Sequence, residues 1–372
     1  MKRVGTVSYN IYCNFTNYGS ALQTWALQQS VKKYTDCEPV LIDYCPDVLR
    51  DKNPLNPMQN MWDSDEESRR MCELSMPAIR ENYKKFERFY REKFNRSSIN
   101  YTSENFDDVV RNEQLNGFIC GSDTIFCIDE FRGFDDGYYA NYRSMRDRSV
   151  AYAASFGDSH FTVTDLRVLD KRIKNFKAIR IREGGRDLNY LKAHAEIPVK
   201  QVIDPTLLLT DSDYDTIAAP RLEKTKYLLL YSRRYNLGME KYAEKIADKN
   251  GWKIVEISLR ATNAEKPSRR MFYEAGVEEF LSLVKHAEFI VTNSYHGMIL
   301  SVLYRRPVVV FSREQCDTKI EYLTSILGLS DRVVVTGEEP INDTIDYDSV
   351  FNNIENHRQD SVTFLQMECK LL

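Results

Sequence analysis

The sequence predicts an α/β protein of two doubly wound domains facing one another across a cleft. Three observations carry this. Short apolar runs of strand length alternate with helical patterns along most of the chain. The first unit has βαβ spacing, which implies a parallel sheet with right-handed crossovers. A polar, proline-marked stretch from Asp204-Pro205 to Pro220 then interrupts the alternation before it starts afresh. The length, 372 residues, also asks for more than one core, since single cores stop growing near roughly 250–300 residues.

The elements follow in order. Val4–Tyr9 reads as a strand, about Ser20 to Tyr34 as a helix, and Val40–Tyr44 as the next strand. Residues 46–105 depart from the rhythm, are rich in charge and show no clear strand, so a helical insertion is expected there. Within it Pro77–Phe94 reads as one long helix, with Pro77 in the first turn and Tyr83, Phe86, Tyr90 and Phe94 at helical spacing. Its other faces carry Arg80, Lys84, Lys85, Arg88, Arg91 and Lys93. Two readings stand: an amphipathic helix packed on the core, or a basic surface touching anionic lipid headgroups.

The rhythm resumes with strands at Gly117–Cys120, Ser149–Ala154, Ala178–Ile181 and Gln201–Ile203, with helices near Val163–Phe176 and Glu183–Ala195. The second series has strands at Lys226–Tyr231, Trp252–Ile257, Phe289–Val291, Val308–Phe311 and near Val333–Val335. Its helices are Met239–Asp248, Val277–His286, Ser294–Leu303 and Thr318–Leu327. The domains are therefore expected at 1–215, with the insertion, and at 216–350. A helical tail, 351–372, is expected to cross back to the first domain.

Composition narrows the function. A net charge of −4 and a pI near 5.9 provide no global basic field for nucleic acid. No run approaches the roughly 20 apolar residues of a membrane span, and the first residues turn polar too soon for a signal peptide. A cytoplasmic protein is expected. The eight cysteines form no CxxC pair and read as buried thiols in a reducing compartment; Cys13 alone lies beside a motif. Asp107-Asp108, Asp135-Asp136 and Asp211-Ser212-Asp213 read as solvated turns or caps rather than as a metal site.

Ligands of such sheets bind beyond the carboxyl ends of the strands. Those positions hold Arg182, Arg233, Arg260, Arg313 and His296, in a protein with no positive excess. Arginine matches phosphate and carboxylate with a fork of donors, which suggests a small, multiply anionic substrate. After the first strand, Asn17-Tyr18-Gly19-Ser20 feeds a helix N-terminus that could face an anion or a sugar hydroxyl, or serve only as a tight turn. No GxGxxG or GxxxxGK[ST] is present, which argues against a dinucleotide fingerprint or a P-loop. Asn293-Ser294 caps the helix that carries His296 in its first turn. There His296 is expected to face an open polar cleft and to contribute little to folding. Lys319 lies beyond the following strand, and Asp123 ends another.

Together NYGSALQTWAL, GSD followed by Phe126, SVAYAASFG, IRIRE, IDPTLLL and TNSYHGMILSVLYRRPVVVF resemble the polysaccharide pyruvyl transferase family. Thr124 stands where many members have Gln, and Phe126 where many have Trp. The resemblance implies two Rossmann-like domains in a GT-B-like arrangement. It implies transfer of a pyruvyl group from phosphoenolpyruvate to a sugar of a cell-surface polysaccharide precursor, usually as a ketal. It also implies that His296 and Arg182 are catalytic, and that both bind the donor with Lys319, Asn293 and Ser294. Asn17, Tyr18, Gly19 and Asp123 are the acceptor candidates. No metal or further cofactor is expected. The acceptor could be lipid-linked, with the enzyme at the inner face of the membrane. The alternatives are a GT-B glycosyltransferase using a nucleotide sugar and a non-catalytic carbohydrate-binding relative.

Overall fold

The computed structural model describes residues 1–12, 16–53, 55, 66–233, 236–258, 266, 269–312, 317–337 and 344–372. Cys13, Arg260 and Arg313 lie outside the described residues.

Seven parallel strands form the first sheet: β1 (Lys2–Val7), β2 (Cys37–Tyr44), β3 (Arg96–Tyr101), β4 (Gly117–Cys120), β5 (Ser149–Ala154), β6 (Phe176–Ile181) and β7 (Val199–Gln201). Their order is β3-β2-β1-β4-β5-β6-β7. The second sheet holds β8 (Tyr227–Ser232), β9 (Lys253–Ser258), β10 (Arg269–Met271), β11 (Phe289–Thr292), β12 (Val308–Phe311) and β13 (Val333–Val334). It is ordered β10-β9-β8-β11-β12-β13, again with every pairing parallel. Each order reverses beside its first strand, at β1/β4 and at β8/β11, and the crevices at these switch points are where such folds bind ligands. The central strands are apolar throughout because helices cover both faces. Val4, for instance, pairs with Pro39 on one side and Gly117 on the other, and Ile290 with Leu229 and Val308.

Two strands were not legible. β3 falls in the segment expected to be strandless, and β10 was not anticipated. β3 is an edge strand whose Ser98, Ile99 and Asn100 are exposed, so burial imposes no apolar pattern on Arg-Ser-Ser-Ile-Asn-Tyr. The long helix also differs: it runs Glu66–Glu92, with Pro77 inside it rather than in its first turn. A proline there forgoes one backbone bond, which the rest of the helix tolerates. Phe86, Phe89 and Tyr90 are buried, and Phe94, just past the helix end, stacks on Tyr90 at 5.1 Å.

Half of the basic side chains on and just beyond this helix turn to protein. Lys85 reaches Glu279 at 2.7 Å, while Arg88 and Lys93 each reach Glu278 at 3.2 Å, on the helix Val277–Lys285 beside the second sheet. Three of the six cations read as a candidate lipid surface therefore fasten the insertion to the second half. Among the described residues no helix is long and apolar enough to cross a membrane.

The last helix, Tyr347–Leu371, lies against the first sheet. Ser361 Oγ accepts the Ile203 N–H at 3.1 Å, Lys177 Nζ donates to the Leu371 carbonyl at 2.7 Å, and Arg180 Nε meets Glu368 at 2.5 Å. Cys37, Cys45, Cys120, Cys127 and Cys369 are buried free thiols. Asp213 takes part in a capping box, but Asp135 is less solvated than expected. It accepts the Tyr44 hydroxyl and the N–H groups of Gly137 and Tyr138, and burial pushes its carboxyl up to about 6.

Candidate functional site

Arg182, immediately after β6, is 3% exposed. Its Nε donates to Glu183 at 3.0 Å and its Nη1 to Asp204 at 2.9 Å, with Asp123 Oδ1 3.5 Å away. The guanidinium carbon lies 4.6 Å from the centre of the Tyr295 ring, a cation–π contact between the halves. Burial disfavours its charge, but Glu183, Tyr295, Asp123 and Asp204 outweigh that and hold it firmly protonated. Its fork is thus largely occupied by protein carboxylates, where the sequence suggested a free anion grip.

Asp204, not anticipated as a site residue, is the hub. It follows β7, opens the Asp-Pro turn, and is 1% exposed. One carboxylate oxygen accepts the Thr206 N–H and hydroxyl at 2.9 and 2.6 Å. The other accepts Arg182 and stands 3.5 Å from His296 Nε2. Burial alone would raise its pKa; His296, Arg182 and Thr206 instead hold the carboxyl well below the usual range.

His296 lies in the first turn of the helix Tyr295–Leu303, which Ser294 Oγ caps by accepting the Gly297 N–H at 3.2 Å. Here too the structure corrects the sequence reading: His296 is 7% exposed rather than in an open cleft. Its Nε2 faces Asp204 but completes no hydrogen bond, so a buried polar atom is left to a weaker electrostatic contact. Its Nδ1 lies against Gly19. A β-carbon built on Gly19 would fall 2.2 Å from Nδ1, so this close approach of helix to ring requires glycine.

Asp123, after β4, adopts a left-handed backbone (φ 71°), accepts Ser20 Oγ at 3.2 Å and faces Arg182. Burial pushes its carboxyl up, but Arg182, His296 and Lys319 hold it below the ordinary range. Lys319, buried on the helix Asp317–Leu327, makes no ion pair within 4 Å among the described residues, yet its field reaches Asp123 and Glu130. The cluster joins Arg182 and Asp204 of the first half to His296 and Lys319 of the second.

The remaining candidates divide. Asn17 caps the helix Tyr18–Tyr34, accepting the N–H groups of Gly19 and Ser20 at 3.1 and 3.3 Å. Asn293 accepts the Arg233 N–H at 2.7 Å and so ties the ends of β8 and β11. Tyr18 turns away from the cluster. It stacks on Phe280 at 4.5 Å and donates its hydroxyl to the Ala275 carbonyl at 2.7 Å, which makes it part of the packing between the halves. Phe126 is likewise core, stacked on Tyr139.

Beside the cluster a pocket of about 630 Å³, open mouth included, lies at the end of β1. Tyr9 and Asn10, just past β1, and Asn17 and Ser20, at the start of the helix Tyr18–Tyr34, line it from the first half, Phe86 and Tyr90 from the insertion helix, and Arg233 from the second half. Ser20 belongs to both pocket and cluster through its bond to Asp123.

The sequence profile that matches this chain, over residues 17–315, is that of polysaccharide pyruvyl transferase. No curated protein matches significantly. Among solved structures, S. aureus MnaA, solved as a UDP co-structure, is similar at 13% identity, covering 99% of this chain and 91% of that one, with a TM-score of 0.50. The UDP-GlcNAc 2-epimerase from Neisseria meningitidis bound to UDP-GlcNAc gives 11% identity, 98% and 94% coverage and a TM-score of 0.49. At 13% identity the likeness to MnaA is one of fold alone: two parallel α/β halves in a GT-B-like arrangement.

Proposed function

Since the chain belongs to the polysaccharide pyruvyl transferase family, we propose that it transfers the pyruvyl group of phosphoenolpyruvate to two hydroxyls of a saccharide, forming a ketal and releasing phosphate. The observation that carries the reading is the convergence of Arg182, His296, Lys319, Asp123 and Asp204 where the two halves meet.

The chemistry needs a proton on the methylene carbon and a carbocationic centre for the hydroxyl to attack. It also needs cations where phosphate and carboxylate sit. His296 is the proton donor in this reading. Asp204 orients the ring from the Nε2 side, and Nδ1, over Gly19, delivers the proton. Lys319, which makes no ion pair within 4 Å among the described residues, binds the donor anion together with the helix N-terminus at Tyr295. Arg182 does two jobs: it holds Asp123 and Asp204 in place, and its Nη2, which carries no hydrogen bond among the described residues, faces the donor. Asn293 and Ser294 shape the turn that presents His296. A second hydroxyl closes the ring as phosphate departs, so one hydroxyl proton ends on the methyl carbon and the other on phosphate.

Thermal melting tests the reading. Phosphoenolpyruvate at a hundredfold excess over its Kd should stabilise the protein by about 2.7 kcal/mol, and UDP should not. Stabilisation by UDP alone would favour a nucleotide-sugar transferase instead. Saccharide binding with no phosphate released from phosphoenolpyruvate would mark a non-catalytic relative.

A further inference from the structure

Glu130 lines the pocket beside the cluster and is its only carboxylate among the described lining residues. Its Oε2 accepts the Thr124 hydroxyl at 2.7 Å, and that hydroxyl lies 3.2 Å from the Tyr9 hydroxyl. Phe86, Tyr90 and Phe131, largely buried, line the same space together with Asn10, Asn17 and Ser20. Such a mixture suits a pyranose, which presents apolar C–H faces and a rim of hydroxyls. Resting on the pyruvyl-transfer reading, we propose that this pocket holds the acceptor as a hexopyranoside and that Glu130 takes the proton from its attacking hydroxyl. The O–H bond breaks toward the Glu130 carboxylate as the oxygen bonds to the central carbon of phosphoenolpyruvate. His296 protonates the methylene carbon. The bond from the central carbon to the phosphate oxygen then breaks as Glu130 passes its proton to the departing phosphate, and the second hydroxyl, bonding to that carbon to close the ring, gives its proton back to His296.

Asp123 and Glu130 lie seven residues apart in sequence, and their surroundings separate them. Asp123 is tied up by Arg182 and Ser20 and held acidic, which makes it a poor base. Glu130 is exposed on the pocket wall, and desolvation by the protein packed around its carboxyl is the largest influence raising it. The hydrogen bonds of Tyr9 and Thr124 and the field of Lys319 oppose that rise, while Asp123 adds to it. Contacts separate the two carboxyls as well: Asp123 accepts Ser20 and faces Arg182, whereas Glu130 stands exposed on the pocket wall and accepts the Thr124 hydroxyl, and two carboxyls so differently placed suit distinct roles in acid–base chemistry. Arg233, also on the pocket wall, is the other charged group among the described lining residues.

The test is phosphate release from phosphoenolpyruvate against pH, with methyl gluco-, galacto- and mannopyranosides as probes. Glu130→Gln should lose about 10²- to 10⁴-fold in turnover. Its melting point and its stabilisation by phosphoenolpyruvate should stay unchanged. Thr124→Val removes the bond that favours ionised Glu130. It should move the acidic limb of the rate profile to higher pH and keep most of the plateau rate, which a merely structural role would not produce. Glu130→Gln with wild-type turnover, or Thr124→Val with an unmoved limb, overturns the assignment of the base. Wild-type protein that is stabilised by phosphoenolpyruvate but releases no phosphate with any hexoside overturns the pocket. Absence of stabilisation by phosphoenolpyruvate would instead bring down the reading beneath both.

Discussion

Gly19→Ala is the smallest change that should disable the site. The added β-carbon would lie 2.2 Å from His296 Nδ1, 2.7 Å from Cγ and 3.1 Å from Cβ. Ordinary contacts need more than 3 Å, so the ring or the helix start must shift by nearly 1 Å. His296 has little room to give: it is 7% exposed, with Tyr295 edge-on at 5.1 Å and Asp204 on its far side. A misplacement of that size can cost about 10²-fold in rate. Stability should change less. Alanine gains about 1 kcal/mol of helix propensity over glycine, against roughly 1–3 kcal/mol for overpacking. The expected variant is folded, melts a few degrees low or near wild type, and turns over about a hundredfold more slowly. Phosphate release and a melting curve on one preparation decide it. Gly19→Ala with wild-type turnover would refute the claim that Nδ1 works where it stands.

Three further outcomes follow from the same geometry. Arg182→Lys should inactivate the protein and destabilise it by roughly 2–4 kcal/mol, because an ammonium cannot bridge Glu183, Asp204 and Asp123, and deleting a buried partner outright costs about 3–5 kcal/mol; denaturant titration reads this. His296→Ala should cost about 1–3 kcal/mol, more than an exposed histidine would. His296→Gln, which donates a hydrogen bond but carries no proton, should lose about 10²–10⁴-fold in turnover if the ring is the acid; substantial turnover with weakened phosphoenolpyruvate binding would assign it to phosphate holding. Finally, burial pushes Glu368 up to about 8 against the pull of Arg180. The folded state therefore binds the extra proton, and this contribution to stability is full below the ordinary carboxylate range and lost as pH rises toward 8. Glu368→Gln should flatten that slope in melting experiments between pH 5 and about 8.

The inner strands were legible because they lie buried between helix layers and read as apolar runs: β4, β5 and β12 fall where the sequence placed them. Edge strands β3 and β10 escaped because burial does not pattern them. At the site, His296 and Arg182 stood out by chemistry at strand ends. Asp204 did not, since an Asp-Pro pair opening a polar stretch looks like a turn until Arg182 and His296 are folded onto it from two other segments. Tyr18 misled for the opposite reason. Its place at a helix start suggested a ligand contact, but the ring is consumed by packing on Phe280. Glu130 carried no sequence signal: its bond to Thr124 is local, but Tyr9, whose hydroxyl meets Thr124, comes from the end of β1 and reaches the pair only through the order of strands in the sheet. The basic stripe on the insertion helix was visible; Glu278 and Glu279, which neutralise half of it, lie nearly two hundred residues away.

The most direct test incubates the protein with isotopically labelled phosphoenolpyruvate and a panel of free and lipid-linked saccharides, following phosphate and the saccharide mass together. Label should appear in a saccharide ketal, with one phosphate released per ketal formed, and both should be lost in His296→Gln. A nucleotide sugar consumed while phosphoenolpyruvate stays intact would contradict pyruvyl transfer.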